Sequence, residues 1–571
     1  MTEAAPRRRA EAARGFDAGP LLFAAAALVL VILVVVPLGW LLAMSVQQTE
    51  TGTLTLHNYV EAFTTSIYLR PIVNSLILAV SVAAIAVLLG TPLAWLIART
   101  DLPGRPALRA LITAAFVTPS FIGAEAWILL AAPNSGWLNR AYTTLTHAPH
   151  GPLDIYSLAG AIFVMALYNV PYTFTFVAGA LELLPVDLED ASSTLGASAW
   201  RTMTSITLPL VAPAIIGGFI MSFLEALAEF GAPAFLLIPA RTQVVTTQLY
   251  LFFQFPVRTE LAAAYAMPLL GVTIGLLLLQ RRILGRKKYA VVGGKGGRRR
   301  LIALGPWRWP LLAGALVVPL CSVALPYLTL LAASFSHAWN QGPVGANFTF
   351  YWYHWAIFDN AATRAAIGHS LAYGATAATA ATLIAFLVAY ITNRKLFPGA
   401  AVLGFICMAP FVVPGIVLAI GIFAAYSHRP ILLYGTAAIL IVAFTTRFLP
   451  IAYSNLNTMI GSVGADLENA ARTLGATRLR ALFTITAPLL RRGILASWLL
   501  VFIPAIRELS SAIFLFTPRT ATMTTQIYDF TDAGNYEAVA TLAVVILAIT
   551  LTIVSVAYRF LGRDFMDSRR T

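Results

Sequence analysis

DLEDASSTLGASAWRTMTSITLP (Asp187–Pro209) occurs again 279 positions later as DLENAARTLGATRLRALFTITAP (Asp466–Pro488), with 12 of the 23 positions identical. Each copy reads Glu-x-Ala, then a Gly seven residues after the Glu, nine residues of spacer, and Ile-Thr-x-Pro. Both copies sit in the most polar interval between two long apolar runs. A polar segment kept twice in a hydrophobic chain points to two equivalent docking points for something outside the membrane.

The surrounding chain has 571 residues, of which 59% are apolar and only 11% charged, with a mean hydropathy of +0.79. So few ionisable groups cannot cover a water-soluble globule, and the chain reads as a polytopic membrane protein. The net charge of +14 collects at the ends of apolar runs, not on a basic face interleaved with aromatics. It therefore sets topology and gives no sign of a nucleic-acid partner. Cys321 and Cys407 both lie inside apolar runs, which excludes a disulfide framework or a paired metal motif.

Residues 1–18 carry Arg7, Arg8, Arg9 and Arg14 and form an N-terminal tail, followed by an apolar run from about Leu21 to Val46. A signal peptide has an apolar core of roughly 7–15 residues, so this longer run reads as a retained first span. Further spans fall at about 72–97, 108–131, 157–183, 210–238 and 261–280. Residues 281–300 then hold nine Lys or Arg and no acid, and Gly293, Gly294, Gly296 and Gly297 loosen the backbone. Gly-Gly-Lys-Gly-Gly lacks the pattern and the strand-helix context of a phosphate-binding loop. Six more spans follow at about 309–335, 366–392, 400–426, 433–457, 491–516 and 538–561.

The repeat reaches beyond the opening stretch. Asn74-Ser75-Leu76 aligns with His369-Ser370-Leu371, Pro103-Gly104 with Pro398-Gly399, and Phe116–Pro119 with Phe411–Pro414, all at an offset of 295. The later offset of 279 leaves 16 extra residues in the first half, most simply in the loop around 132–156. LLIPARTQVVTTQLY (236–250) likewise resembles LFTPRTATMTTQIY (515–528). One fold is duplicated and fused. Six spans per half return the chain to its starting side, so the halves are parallel repeats, whereas inverted repeats need an odd number. With both termini cytoplasmic, the 99–109 loop, Asn393-Arg394-Lys395, the linker, the basic tail and both copies of the opening stretch share the cytoplasmic side. The expected domains are a tail at 1–18, a first repeat at 19–282, a basic linker at 283–308, a second repeat at 309–562 and a tail at 563–571.

Acidic or short polar side chains at Asp187, Asp190, Asp466, Glu468 and Asn469 suit the start of a helix, where unpaired N–H groups and the dipole favour them. Leu188, Ala191 and Leu195, matched by Leu467, Ala470 and Leu474, make one narrow apolar stripe at helical spacing. Gly196 and Gly475 allow the chain to turn. Trp200-Arg201 and Leu479-Arg480 then open a second helical piece that ends at the Pro. Each copy is expected to be a short helix-turn-helix on the inner membrane face.

These two segments, at 185–210 and 464–489, resemble the EAA loop of permease subunits of binding-protein-dependent ABC importers of type I. The usual Ala after the Glu is replaced by Asp190 and Asn469, and the usual Leu before the last Pro by Ala487. The resemblance implies an all-α polytopic fold of about 12 transmembrane helices in two parallel six-helix repeats, in a bacterial inner membrane. It implies two copies of a cytoplasmic ATPase holding ATP-Mg, an external binding protein, periplasmic or lipid-anchored, and no enzyme activity or bound cofactor on this chain. Glu189, Ala191, Gly196 and Pro209, with Glu468, Ala470, Gly475 and Pro488, would form the coupling elements. Among such permeases the chain is most similar to those for ferric iron, with thiamine, aminoethylphosphonate and polyamine permeases as relatives.

Ionisable residues inside spans are costly, roughly 2.5–3.5 kcal/mol at a helix centre on insertion scales, and need a reason. Glu229 and Glu508 occupy equivalent places in the fifth spans, with Glu225 and Arg507 near them. They either face the central pathway or a gate, or pair between helices to hold the halves in register. Glu125 is a weaker case, and His354 suits an interfacial aromatic belt. A secondary transporter with parallel halves has the same parity but no need of a docking segment after span four. An integral-membrane enzyme needs clustered His or carboxylates, and seven scattered His give none.

Overall fold

The computed structural model describes residues 19–48, 52–184, 187–285, 301–342 and 344–561. The arginines of the N-terminal tail, the linker residues 286–300 and the tail 563–571 lie outside these. So do residues 185–186, the first two of the segment at 185–210.

Among the described residues nine helices are long and apolar enough to cross a membrane. Three further helix pairs would bring the number to 12, each bent at a short break: Arg105–Val117 with Ser120–Ala131 by 98°, Ala400–Phe411 with Gly415–Tyr426 by 112°, and Arg478–Leu489 with Arg491–Ala505 by 76°. The third span of each half is thus not a straight rod. Its break falls at Pro119 or Pro414, both with extended ψ (138° and 142°). A proline has no N–H to give the preceding turn and disfavours helix in the residue before it.

The expectation that the second helical piece of each repeated segment stops at its Pro holds differently in the two copies. In the second copy the chain breaks at Leu490, two residues after Pro488. In the first, Pro209 falls in the opening turn of Leu208–Ala228, just after a wider π-type turn at Met203–Thr207, and the helix runs on. Proline is tolerated there because a first-turn N–H is dispensable.

The chain forms two compact units. One comprises Ser45–Arg364 with Gln526–Ala548. In it the helices Ser66–Arg99, Leu158–Leu183 and Leu208–Ala228 pack at very short range. A Cβ on Gly90 would lie 3.1 Å from Thr173 Cβ, and one on Gly218 2.9 Å from Thr173 Cα. Small residues let backbones approach this closely, and dispersion between them drives helix association in lipid. The first helix of the second half, Gly305–Ser334, closes this body: Ala315 and Val318 join the core around Phe174 and Ile112. Tyr327 and Thr118 hydroxyls meet at 2.6 Å, and the Trp127 indole donates to the Cys321 carbonyl at 3.2 Å.

The other unit comprises Met1–Met44, Ala365–Thr525 and Ile549–Thr571. Here the first helix of the first half closes the body of the second half. Phe23 and Phe397 rings lie 5.0 Å apart, Thr446 donates to the Leu33 carbonyl at 3.2 Å, and Tyr426 donates to that of Ile32. Each repeat therefore lends its first helix to the other, which no spacing in the sequence announces.

Candidate functional site

Each copy of the repeated segment folds as a helix, a turn and a second helix. The first helices are Asp187–Thr194 and Asp466–Thr473. Both end in a glycine with left-handed backbone, Gly196 at φ +83° and Gly475 at φ +92°. The N–H of Ala197 donates back to Ser192 and that of Ala476 to Ala471, the closing bond of a Schellman turn. Among the described residues, no atom beyond the chain neighbours lies within 4 Å of where a Cβ would stand on either glycine. Their requirement is therefore conformational: an L side chain is strained at this φ even with space around it.

The motif glutamate is held by a threonine and an arginine in both copies. In the first, Thr207 donates to Glu189 Oε1 at 2.7 Å and Arg99 Nε stands 3.4 Å from Oε2. In the second, Thr486 donates to Glu468 Oε1 at 2.7 Å, and Arg394 reaches the same oxygen through Nη2 at 2.8 Å and Nε at 3.2 Å. Each arginine also donates to the carbonyl that ends the preceding span, Arg99 to Leu184 at 3.4 Å and Arg394 to Val463 at 3.1 Å. Leu184 and Val463 are 279 apart, Arg99 and Arg394 are 295 apart, and both offsets belong to the duplication. This geometry explains why the Glu and the Thr of Ile-Thr-x-Pro recur together 18 residues apart.

The second clamp is tighter. Tyr390 adds a hydrogen bond to Glu468 Oε2 at 3.1 Å, where the first half has Trp95. Burial pushes the Glu468 carboxyl up, but the bonds from Arg394 and Thr486, the Arg394 charge and the Tyr390 bond outweigh it and hold the group below its usual value.

Above each clamp the helix presents apolar side chains to solvent. Leu195 and Leu474 are 88% and 89% exposed, and Trp200 is 72% exposed. Ala191 and Ala470 are exposed as well, as is Leu467, while the Leu188 side chain lies outside the described ones. A contiguous exposed apolar patch rimmed by polar residues marks a contact surface. Pro209 and Pro488 follow the clamping threonines by two residues at the entry to the next helix.

The acids of the fifth spans stand just beyond the helix ends, not within them. Helix Leu208–Ala228 stops before Glu229, whose Oε1 accepts from the Gly231 N–H at 3.1 Å. Helix Arg491–Ala505 stops before Glu508, whose Oε1 accepts from the Ser511 N–H at 3.0 Å and its hydroxyl at 3.1 Å. Thr246 donates to the Glu229 carbonyl and Thr524 to that of Glu508, each at 2.8 Å. Both carboxylates thus brace a helix break inside their own unit. Glu225 lies one turn before Glu229, and Arg507 adjoins Glu508.

Two features escaped the sequence. Arg99 and Arg394 read there only as topology charges, although the 295 offset pairs them. Glu125, given less weight than Glu229 and Glu508, is fully buried and accepts from Thr531 at 2.6 Å, while its Oε2 has no hydrogen-bond partner among the described residues. Among the described residues no three His, Cys, Asp or Glu are placed to hold a metal ion.

A family model described as the binding-protein-dependent transport system inner membrane component matches residues 86–289 and again 381–566. The chain is 27% identical to the ferric transport system permease protein FbpB of Actinobacillus pleuropneumoniae, over 85% of this chain and 70% of that one. It is 28% identical to a putative ferric transport system permease protein, FbpB 1, of Haemophilus influenzae, over 80% of this chain and 72% of that one. A molybdate/tungstate permease, WtpB of Thermococcus kodakarensis, is 30% identical over 47% of this chain and 96% of its own length. That relative has the length of one repeat, as duplication requires. The chain belongs to the family of binding-protein-dependent transport system inner membrane components, and carries two copies of it fused end to end.

Proposed function

We propose that this ABC importer permease carries ferric iron across the inner membrane, with both termini cytoplasmic, and that its two clamped helices seat in two copies of a separate cytoplasmic ATPase. The observation that carries the coupling reading is the duplicated clamp beneath an exposed apolar rim. A helix that must transmit force to the spans needs a rigid root and a free crown. The Arg–Glu–Thr contacts supply the root in both halves, and Leu195 and Leu474 supply the crown.

Through Arg99 the first docking helix is tied to the end of Ser66–Arg99, and through Thr207 to the start of Leu208–Ala228. Closure of two ATPases on ATP would then move two spans per repeat together. A substrate-binding protein on the outer side would deliver the cargo. Glu225, Glu229, Arg507 and Glu508 would act at the breaks, holding the pathway's walls or gate in register.

Support for iron is the pair of ferric permeases that match over most of the chain. The aminoethylphosphonate reading rests on a relative 29% identical over 40% of the chain. Uptake of labelled ferric iron by iron-starved cells, with and without the gene, tests the cargo. Loss of iron uptake with thiamine and aminoethylphosphonate uptake unchanged is expected. Unchanged iron uptake with loss of another cargo contradicts the iron reading and leaves the permease assignment standing.

A further inference from the structure

A cleft of about 400 Å³ opens beside the root of the first docking helix. Its polar wall is Arg105, Arg109 and Glu182, and its apolar wall includes Ile97, Pro106 and Leu301. Arg109 and Glu182 form an ion pair and neutralise one another. Arg105 is half-buried and, among the described residues, makes no ion pair. Among the described residues the lining therefore carries one net positive charge, from two arginines and one glutamate. That volume lies within the roughly 300–1,000 Å³ of small-ligand sites.

One wall of the cleft is pinned in place. Residues after the linker lie along the end of Ser66–Arg99: Ile302 donates to the Arg99 carbonyl at 2.9 Å, and Asp101 donates back to Ile302 at 3.1 Å. Asp101 Oδ1 also accepts from the Leu304 N–H at 2.8 Å. A few residues on, Trp307 and Trp309 are 69% and 59% exposed, with the Arg308 guanidinium 5.3 Å from the Trp309 ring centre. In a membrane chain, exposed tryptophans beside arginine at the end of a span mark the level of the lipid headgroups. The cleft thus sits where a phosphate on an acyl chain would be, with a charge to meet the one and an apolar wall to meet the other.

We propose that this cleft binds the phosphodiester headgroup of an anionic phospholipid, with Arg105 as its principal contact. Basic pockets between spans at headgroup depth recognise such lipids. The inference needs the membrane placement but neither the iron reading nor the orientation. Ile97 and Ala98 directly precede Arg99, so an occupied cleft also steadies the residue that clamps Glu189.

The test uses the full purified chain in neutral detergent, titrated with phosphatidylglycerol, phosphatidylcholine or glycerol 3-phosphate and followed by native mass spectrometry and by thermal unfolding. Phosphatidylglycerol is expected to bind and raise the midpoint, and phosphatidylcholine to do neither. Arg105→Gln is expected to weaken phosphatidylglycerol binding about tenfold, as loss of one charge-assisted contact should. Arg492→Gln, an exposed basic position elsewhere, should leave that binding unchanged, and both variants should match the parent's midpoint without lipid. Equal binding by the parent and Arg105→Gln, or no preference for phosphatidylglycerol, overturns the proposal. Equal protection by glycerol 3-phosphate also overturns it, by identifying a soluble phosphate ester as the occupant.

Discussion

Arg394 and Arg99 hold the two motif glutamates, and they are not equivalent. Removing one partner of a buried ion pair leaves the other charge uncompensated and costs roughly 3–5 kcal/mol. Arg394→Gln is therefore expected to lower the thermal midpoint strongly and to impair uptake. Arg99→Gln should do less, because its contact with Glu189 is 3.4 Å and Trp95 stands where the second half has the assisting Tyr390. Adding Glu468→Gln to Arg394→Gln should recover part of the loss, and unfolding of the two single variants and the double variant closes the cycle. Additive losses would mean that the pair does not act as a unit.

The lowered pKa of Glu468 has its own signature. A carboxyl whose folded value lies below its unfolded value, near 4.3, stabilises the fold fully above that value and ceases to as pH falls through the folded one. Proteolysis of the second repeated segment is therefore expected to stay flat from neutral pH down to the ordinary carboxylate range and to rise below it. In Glu468→Gln the low-pH rise should shrink. A rise between pH 5 and 7 in the parent would contradict the clamp.

At the scale of elements, the repeated stretch was readable as a helix, a turn and a helix because Gly196 and Gly475, the acidic starts and the apolar spacing are local signals. The roles of Thr207 and Thr486 were half readable: their recurrence was plain, their partner was not. Hydrogen bonds across 18 or 74 residues leave no periodicity, so the clamp emerges only when helix ends are brought together. The bends at Pro119 and Pro414 were in principle legible, since proline breaks helices, but hydropathy averages over a window longer than the break. The fit of Gly90 and Gly218 against Thr173 was not legible, because glycine in a span has many uses. Gly218→Val would drive a branched side chain into the Thr173 backbone, which stands 2.9 Å from the Cβ position. Overpacking of this kind costs roughly 1–3 kcal/mol, so a lower thermal midpoint is expected. An unchanged midpoint would mean the three helices can part without cost.

Over the whole molecule, duplication and six-span parity gave the architecture, and the two family matches agree with it. What the repeats conceal is the exchange of first helices. The helix Leu21–Ser45 completes the second half's body, and Gly305–Ser334 completes the first half's. Neither half therefore buries its proper faces alone. The same duplication supplies two copies of the repeated segment, one per half, each rooted in its own clamp. With the coupling role proposed for these segments, the expected count is two ATPase subunits per chain.

The most direct test of that claim is the native mass of the complex purified from cells through a tag on this chain. The parent should carry two ATPase copies. Gly475→Asp, which places a strained, charged residue at the turn of the second repeated segment, should carry one, and Gly196→Asp with Gly475→Asp should be inserted in the membrane but carry none. A double variant that still holds two copies would contradict the assignment of these segments as the coupling helices.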